Sequence, residues 1–145
     1  MCANKVNFTN PEPEQIRSLL KRVKIIAVVG FSPRPVRPSH NVARLMQHYG
    51  FRIIPVRPGI GEGLGERAYP DLASVPEAPD IVNVFRAPRF VAAIVDDCLR
   101  LGLKTLWLQE GVVDEAAAAR ASAAGMTVVM DRCILRDYTR LVATG

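Results

Sequence analysis

Ser32, Arg34, Arg37, Ser39, His40 and Asn41 follow directly on a short apolar run, Ile25-Ile26-Ala27-Val28-Val29, that ends in Gly30-Phe31. Hydroxyl and amide groups donate hydrogen bonds, and guanidinium groups pair with phosphate. After Ser39 the apolar residues Val42, Leu45, Met46 and Tyr49 recur at helical spacing. The pattern is a strand, a glycine turn and a helix N-terminus. Such a unit offers backbone N–H groups and the positive end of a helix dipole to an anion. The chemistry implied is the holding of a phosphate-bearing nucleotide beyond Gly30, with Ser32, Ser39 and Asn41 as hydrogen-bond donors and Arg34 and Arg37 as phosphate partners. His40, at the helix start, either contacts a ligand phosphate or caps the helix.

Two further segments belong to the same site if the strands are parallel. The second apolar run ends in Val56-Arg57-Pro58. An acidic residue here would suit the ribose hydroxyls of NAD, whereas an arginine suits a phosphate on that ribose, as in NADP or coenzyme A. The third run ends in Phe85-Arg86-Ala87-Pro88. In a doubly wound sheet that loop lies beside the first, so Phe85 could pack near adenine and Arg86 near phosphate. Plainer alternatives exist for each: a glycine that merely ends a strand, a solvated Arg57, a core Phe85 beside an exposed Arg86. Gly30-Phe31-Ser32 also falls short of the three-glycine dinucleotide fingerprint.

Catalytic constellations are weaker. His40 and His48 are the only histidines, and neither has an evident nucleophile or orienting carboxylate nearby in sequence. Asp96 and Asp97 are adjacent on a helix and must point different ways. Glu110, in Gln109-Glu110-Gly111, falls at the ligand edge, where it could move a proton or, as the favoured role, cap the next helix. Cys133 falls at the same edge and could meet a ligand thiol, although a buried structural thiol is the favoured role. Cys98 lies on an apolar helix face and is expected in the core.

The elements that must position these residues alternate. Strands are expected at 25–29, 51–56, 81–85, 104–108 and 126–130. Helices are expected at 14–23, 39–49, from Pro88 to about 101, from Asp114 to about 124 and over 134–141. Gly50, Gly102 and Gly125 close three of them. Residues 57–66 read as a glycine-rich loop, and 69–72 as an extended piece with a brief helical sequel. Pro55 belongs at a strand end or on an edge strand. Continuously apolar strands alternating with helices give an α/β, Rossmann-like, doubly wound sheet, mostly parallel, of about five strands with helices on both faces. The organisation expected is an N-terminal arm over 1–13, loose over its first twelve residues, and one domain over 14–145.

Composition agrees with that class. The chain has 145 residues, 49% of them hydrophobic, enough for one sizeable core and too many for disorder. The net charge of +5 fits a pocket for a polyanion. Its arginines are scattered and no nucleic-acid-binding motif appears, so nucleic acid is not the expected partner. No apolar run is long enough to span a membrane. Met1-Cys2-Ala3-Asn4-Lys5 lacks the apolar core of a signal peptide, and the three cysteines have no zinc-site spacing. A cytoplasmic protein with reduced thiols is expected.

Together Ala27-Val28-Val29-Gly30-Phe31-Ser32, Arg37-Pro38-Ser39, Ile54-Pro55-Val56-Arg57-Pro58, Asp80-Ile81-Val82-Asn83-Val84-Phe85-Arg86, Leu106-Trp107-Leu108-Gln109-Glu110-Gly111-Val112 and Val128-Val129-Met130-Asp131-Arg132-Cys133 resemble the small stand-alone CoA-binding-domain proteins. These are relatives of the CoA-binding domain of the succinyl-CoA synthetase alpha subunit. The resemblance covers roughly residues 14–142. It implies coenzyme A or an acyl-CoA as ligand, with Gly30, Phe31 and Ser32 along the diphosphate and Arg57 near the adenosine. It also implies that Phe85, Arg86 and Pro88 flank adenine and pantetheine. The family often has Asn or Ser where this chain has Arg57. Where many relatives continue Asp-Arg-Cys with Pro-Ile-Glu, this chain has Ile134-Leu135-Arg136-Asp137-Tyr138, and Asp137 is the carboxylate that could replace that Glu. The synthetase's phosphorylated histidine belongs to a later domain that this sequence does not contain. The expected role is therefore binding, sensing or delivery of CoA without a complete active site, with a homodimer or an acyl-CoA enzyme as protein partner. An NADP-binding oxidoreductase or redox sensor, and an interaction module with a vestigial pocket, are the competing alternatives.

Overall fold

Five strands run parallel in one sheet: β1 (Ile25–Val29), β2 (Arg52–Val56), β5 (Ile81–Val84), β6 (Thr105–Leu108) and β7 (Thr127–Met130), in the spatial order β2-β1-β5-β6-β7. The computed structural model describes residues 8–144. Two very short strands, β3 (Glu62–Gly63) and β4 (Glu66–Arg67), form a separate antiparallel hairpin. The helices are α1 (Pro13–Arg22), α2 (Pro38–His48), α3 (Val91–Leu101), α4 (Glu115–Ala123) and α5 (Ile134–Tyr138).

The alternation of side chains along each strand divides the core in two. Ile26, Val28, Ile53, Ile81, Trp107 and Val129 pack under α1, α2 and α5, through Leu19, Leu20, Met46 and Ile134. Ala27, Val29, Ile54, Val82, Leu106 and Val128 pack under α3 and α4, through Val91, Val95, Cys98, Ala118 and Ala121. Both faces of the sheet are therefore covered, which is why its strands read as unbroken apolar runs. Chain order reverses across the sheet between β1 and β5. In open α/β sheets the crevice beyond the carboxyl ends at such a point is where ligands bind.

Element bounds follow the expected ones within a few residues. Pro55 lies on the edge strand β2, where its missing N–H is harmless; its carbonyl accepts from the N–H of Tyr69 at 3.0 Å. Helix α1 begins one residue before Glu14, with Pro13 in the first turn and the N–H of Glu12 donating to Gln15 Oε1 at 3.0 Å. Asp114 caps α4 by accepting from the N–H of Ala117 at 3.0 Å. Glu110 is not the cap of that helix.

Three differences have physical causes. The expected loop 57–66 contains the β3–β4 hairpin, whose turn residues Leu64 and Gly65 both have positive φ, 53° and 77°. Turns of that kind favour Asn-Gly or Gly-Gly, and the leucine hid the signal. The C-terminal helix is regular only to Tyr138 and then widens into a π-helical turn over Thr139–Ala143. The expected loose arm is tied down at Asn10, whose side-chain amide donates to the Met130 carbonyl at 2.9 Å and accepts from the Met130 N–H at 2.7 Å. Residues 1–7 of that arm lie outside the described residues.

The hairpin lies over the β1–α2 loop. A Cβ on Gly63 would sit 2.5 Å from the Phe31 ring. Gly63→Ala should therefore cost about 1–3 kcal/mol of stability, as overpacked sites do. A thermal or urea melt of the variant checks this, with a lowered Tm as the expected outcome.

Candidate functional site

The carboxyl ends of the strands are locked to one another before any side chain is considered. The N–H of Gly30 donates to the Val56 carbonyl at 3.1 Å, that of Phe85 to Val29 at 2.9 Å, and that of Gln109 to Val84 at 3.1 Å. The loops after β1, β2, β5 and β6 thus start from a fixed row. Gly30, at φ 88°, lies against the β5 loop; a Cβ there would meet Arg86 Cδ at 2.9 Å and the Phe85 carbonyl oxygen at 3.0 Å. Only glycine allows this approach and this φ together.

A cleft of about 780 Å³ opens above that row, a size suited to a ligand of nucleotide scale. Its walls are Gly30, Ser32, Arg34 and Arg37 from the β1–α2 loop, Pro38, Ser39 and Val42 from α2, and Arg57 after β2. Phe85 after β5, Gln109, Glu110 and Val112 after β6, and Cys133 after β7 complete it.

The loop is prepared for an anion. Ser39 Oγ accepts from the N–H of Ser32 at 2.9 Å, and Ser32 Oγ accepts from the N–H of Arg34 at 3.2 Å. Each hydroxyl is thereby oriented by the backbone and keeps its own proton for a ligand. Arg37 at the start of α2 makes no side-chain capping bond, and Pro38 has no N–H, so the first turn of α2 carries no capping side chain. Arg34, Arg37 and Arg57 make no ion pair with a carboxylate among the described residues. Three such cations and a helix N-terminus around one cleft give it a positive lining that suits a polyanion.

Of the residues expected to form the site, Gly30, Ser32, Arg37, Ser39, Arg57 and Phe85 line this cleft. Five do not. The Phe31 side chain is 0% exposed beneath the hairpin, so only its backbone faces the loop. Val56 is 3% exposed because its side chain points into the α3/α4 core. His40 is turned inward, with Nδ1 3.0 Å from the Ser32 carbonyl oxygen and its ring 5.3 Å from that of Phe31; it braces the loop. Since a carbonyl only accepts, that nitrogen carries the proton. Arg86 stacks its guanidinium over Phe90 at 3.9 Å from the ring centre. Pro88 opens the 3₁₀ turn that leads into α3.

Sequence reasoning placed Gln109 at the ligand edge only as the neighbour of Glu110 and gave it no role. Its side chain is 5% exposed, and its Oε1 accepts from Asn83 Nδ2 at 3.2 Å and from the Ile134 N–H at 3.4 Å. Asn83 in turn donates to the Trp107 carbonyl. A polar Asn83 in the middle of an apolar strand was the available signal. Cys133 is half-buried and on the cleft, not the buried structural thiol expected. Cys98 is fully buried as expected, and burial pushes its thiol up to about 12.

Glu110 pairs with Arg136 at 2.7 Å, and the carboxylate holds that guanidinium above its ordinary range. Asp137 does not line the cleft. It is buried and takes a two-pronged bond from Arg132, at 2.6 and 2.7 Å, which likewise raises the Arg132 pKa. Asp96 and Asp97 pair separately, with Arg120 and Arg100. His48 is exposed. No helix among the described residues is long and apolar enough to cross a membrane.

A doubly wound parallel sheet with a cationic, glycine-floored crevice at its switch point defines a Rossmann-like nucleotide-binding domain. Residues 24–139 match the family model for the CoA binding domain, and the chain belongs to that family. It is 42% identical to the uncharacterized protein YneT of Bacillus subtilis over 86% of this chain and 93% of that one. A hypothetical protein from Pyrococcus horikoshii superposes with a TM-score of 0.87 at 32% identity, covering 94% of this chain and 99% of its own. A region of the ADP-forming acetate–CoA ligase I of Archaeoglobus fulgidus is 26% identical over 53% of this chain, which is only 11% of that much longer enzyme.

The two described thiols should differ sharply in reactivity. In iodoacetamide at about pH 8, Cys133 should be alkylated in the folded protein, while Cys98 stays protonated and protected until denaturant is added. Peptide mapping by mass spectrometry reads both sites.

Proposed function

We propose that this protein binds coenzyme A, free or as a thioester, and serves to hold, sense or deliver it. The observation that carries this is the set of three arginines without a carboxylate partner among the described residues, together with the α2 N-terminus that no side chain caps, around a single cleft. The family adds the ligand class, and the named CoA ligase among the relatives points the same way. The order of residues along the sheet edge adds shape. Arg57 follows β2, Gly30 β1, Phe85 β5, Gln109 β6 and Cys133 β7, which are consecutive across the sheet. At roughly 4.8 Å between strands, that row is about 19 Å long. Its cationic end is at β2 and β1, and at β6 and β7 the charges of Glu110 and Arg136 offset each other. A ligand with a multiply phosphorylated nucleotide head and a long neutral tail matches that gradient.

In this reading the diphosphate lies over Gly30 and the first turn of α2, hydrogen-bonded by Ser32 and Ser39. Arg57 pairs with the phosphate on the adenosine ribose. Phe85 lies along the middle, and the pantetheine tail runs toward Gln109 and Cys133. A role without turnover is supported by what the candidate groups already do: Glu110 is held by Arg136, and His40 is spent on the loop. A partner enzyme that makes or uses acyl-CoA, or a second copy of this chain, would complete a delivery role.

Calorimetric titration with CoA, dephospho-CoA and NADP tests the ligand. CoA should bind, and loss of the ribose phosphate should weaken binding. Arg57→Ala should weaken CoA about ten- to a hundredfold, the loss of one charge-assisted pair, and should leave dephospho-CoA nearly unaffected. Combining it with Ser32→Ala should leave the Tm of the free protein nearly unchanged. Equal CoA affinity in the double variant would overturn the assignment of the site, and preference for NADP would overturn the ligand.

A further inference from the structure

Charge is divided unevenly along this chain. Residues 15–61 contain nine Lys and Arg and neither Asp nor Glu. They hold α1 after its first turn, β1, α2 and β2, so a large share of the cations falls on the sheet face that α1 and α2 cover. Protein surfaces normally intersperse both signs, so a one-signed face calls for a cause. The cleft accounts for Arg34, Arg37 and Arg57 only. On α2, Arg37, Asn41, Arg44 and His48 are exposed and recur at helical spacing. The cationic line therefore leaves the cleft and runs down the outer face of α2 to its far end. There a groove of about 320 Å³ opens at the amino ends of β1 and β2, on the edge of the sheet opposite the cleft. Lys21 and Lys24 line it, both exposed, together with Tyr49, Phe51 and Tyr138. Tyr49 is 41% exposed, its ring lies 4.8 Å from that of Tyr138, and Phe51 meets the same Tyr138 ring at 5.2 Å. Lys21, Lys24 and Arg44 have no carboxylate partner among the described residues. The carboxylate beside Lys24, Asp80, is held by the N–H groups of Lys24 and Ile25 at 2.9 Å. A helix C-terminus attracts cations, which accounts for Lys21 but not for Arg44, in the interior of α2.

We propose that the outer face of α2 and the groove at its end form a docking surface for an acidic segment of another protein. That segment places an apolar side chain in the groove against Tyr49 and lays its carboxylates along Arg44, Lys21 and Lys24. The surface goes beyond the ligand of the cleft and does not depend on it. Charge complementarity selects an acidic partner. A half-exposed tyrosine beside an apolar hollow is the kind of anchor on which interfaces concentrate their energy. A second copy of this chain fits poorly, because two α2 faces brought together would repel. Nor has the chain an acidic row to offer: seven of its 14 carboxylates pair with arginine, and four more accept backbone N–H groups. A single-stranded nucleic acid would need free ring faces for its bases, and here the rings pack on one another. A membrane would need an apolar outer face, whereas Val42, Ala43 and Met46 of α2 are buried in the core.

The test titrates the isotope-labelled full chain with a short synthetic peptide of glutamates around one phenylalanine. Two control peptides replace the phenylalanine by alanine or the glutamates by glutamine. The expected result is saturable amide shifts at Lys21, Lys24, Arg44, His48 and Tyr49. The affinity should be at least about tenfold above that of either control and should fall as salt is raised. The triple variant Lys21→Glu/Lys24→Glu/Arg44→Glu reverses three exposed charges, so its Tm should stay close to that of the native chain. It should bind the peptide at least about tenfold more weakly, while calorimetry with CoA gives the same result as for the native chain. Tyr49→Ala should weaken the phenylalanine peptide and leave the alanine control unchanged. Shifts confined to Arg34, Arg37 and Arg57 would mean that the peptide enters the cleft as a mere polyanion, and would overturn the docking surface. Equal binding of the three peptides would do the same, as would tighter binding of a DNA duplex or of phosphatidylglycerol vesicles at the same residues. So would sedimentation of the native chain as a dimer that the triple variant does not form. Failure of CoA to bind the native chain would remove the reading of the cleft and leave this surface standing.

Discussion

The close approach of Gly30 to the Phe85 carbonyl is the contact on which the cleft depends. Any side chain at residue 30 would push the β1 and β5 loops apart at the one point in the sheet where chain order reverses. With glycine there, the two loops form a continuous floor, and the first turn of α2 is brought over it. The serines then lock to the loop backbone, and Arg34, Arg37 and Arg57 have no carboxylate partner among the described residues. The positive charge is thus stored by the fold, since the same cluster in a tighter structure would need carboxylates to offset it. Placement of the charge follows from strand order, and strand order follows from the right-handed crossovers that parallel strands require.

The fold was legible because each strand is buried on both faces and each helix is amphipathic. Ile25–Val29 and Thr105–Leu108 could only be interior strands of a covered sheet. The cradle was legible at Gly30, Ser32 and Ser39 because a strand–glycine–helix unit has one local geometry. What was not legible required knowledge of non-local packing. Nothing near Phe31 in sequence announces that residues 62–67 fold over it and remove its ring from the site. His40 sits at a helix start, as a phosphate ligand would, but that same hairpin-covered ring and the Ser32 carbonyl draw it inward. Arg86 was read as a phosphate partner from its neighbours, yet Phe90, four residues on, offers its guanidinium a ring to stack on.

Gln109 shows the opposite case, a functional candidate without a sequence motif. It is held by Asn83, a polar residue whose register places it between Val28 and Trp107 in the middle of the sheet. A buried amide network of this kind is costly unless every member is satisfied. Here no buried side-chain nitrogen or oxygen among the described residues lacks a partner, and Gln109 reaches the cleft. The C-terminal segment has a similar logic. Asp137 is buried against Arg132 and fixes the turn that presents Cys133, so the carboxylate acts through position and not through the cleft.

The central claim is that one elongated ligand lies along the whole strand edge, from the cationic end to the thiol end. Amide chemical-shift mapping of the labelled protein during addition of CoA tests this most directly. The account predicts changes at Ser32, Ser39, Arg57, Phe85, Gln109 and Cys133 that saturate together with one affinity, while residues on the outer faces of α1 and α4 stay still. Changes confined to the arginine end, or a set of shifted residues away from this edge, would contradict it.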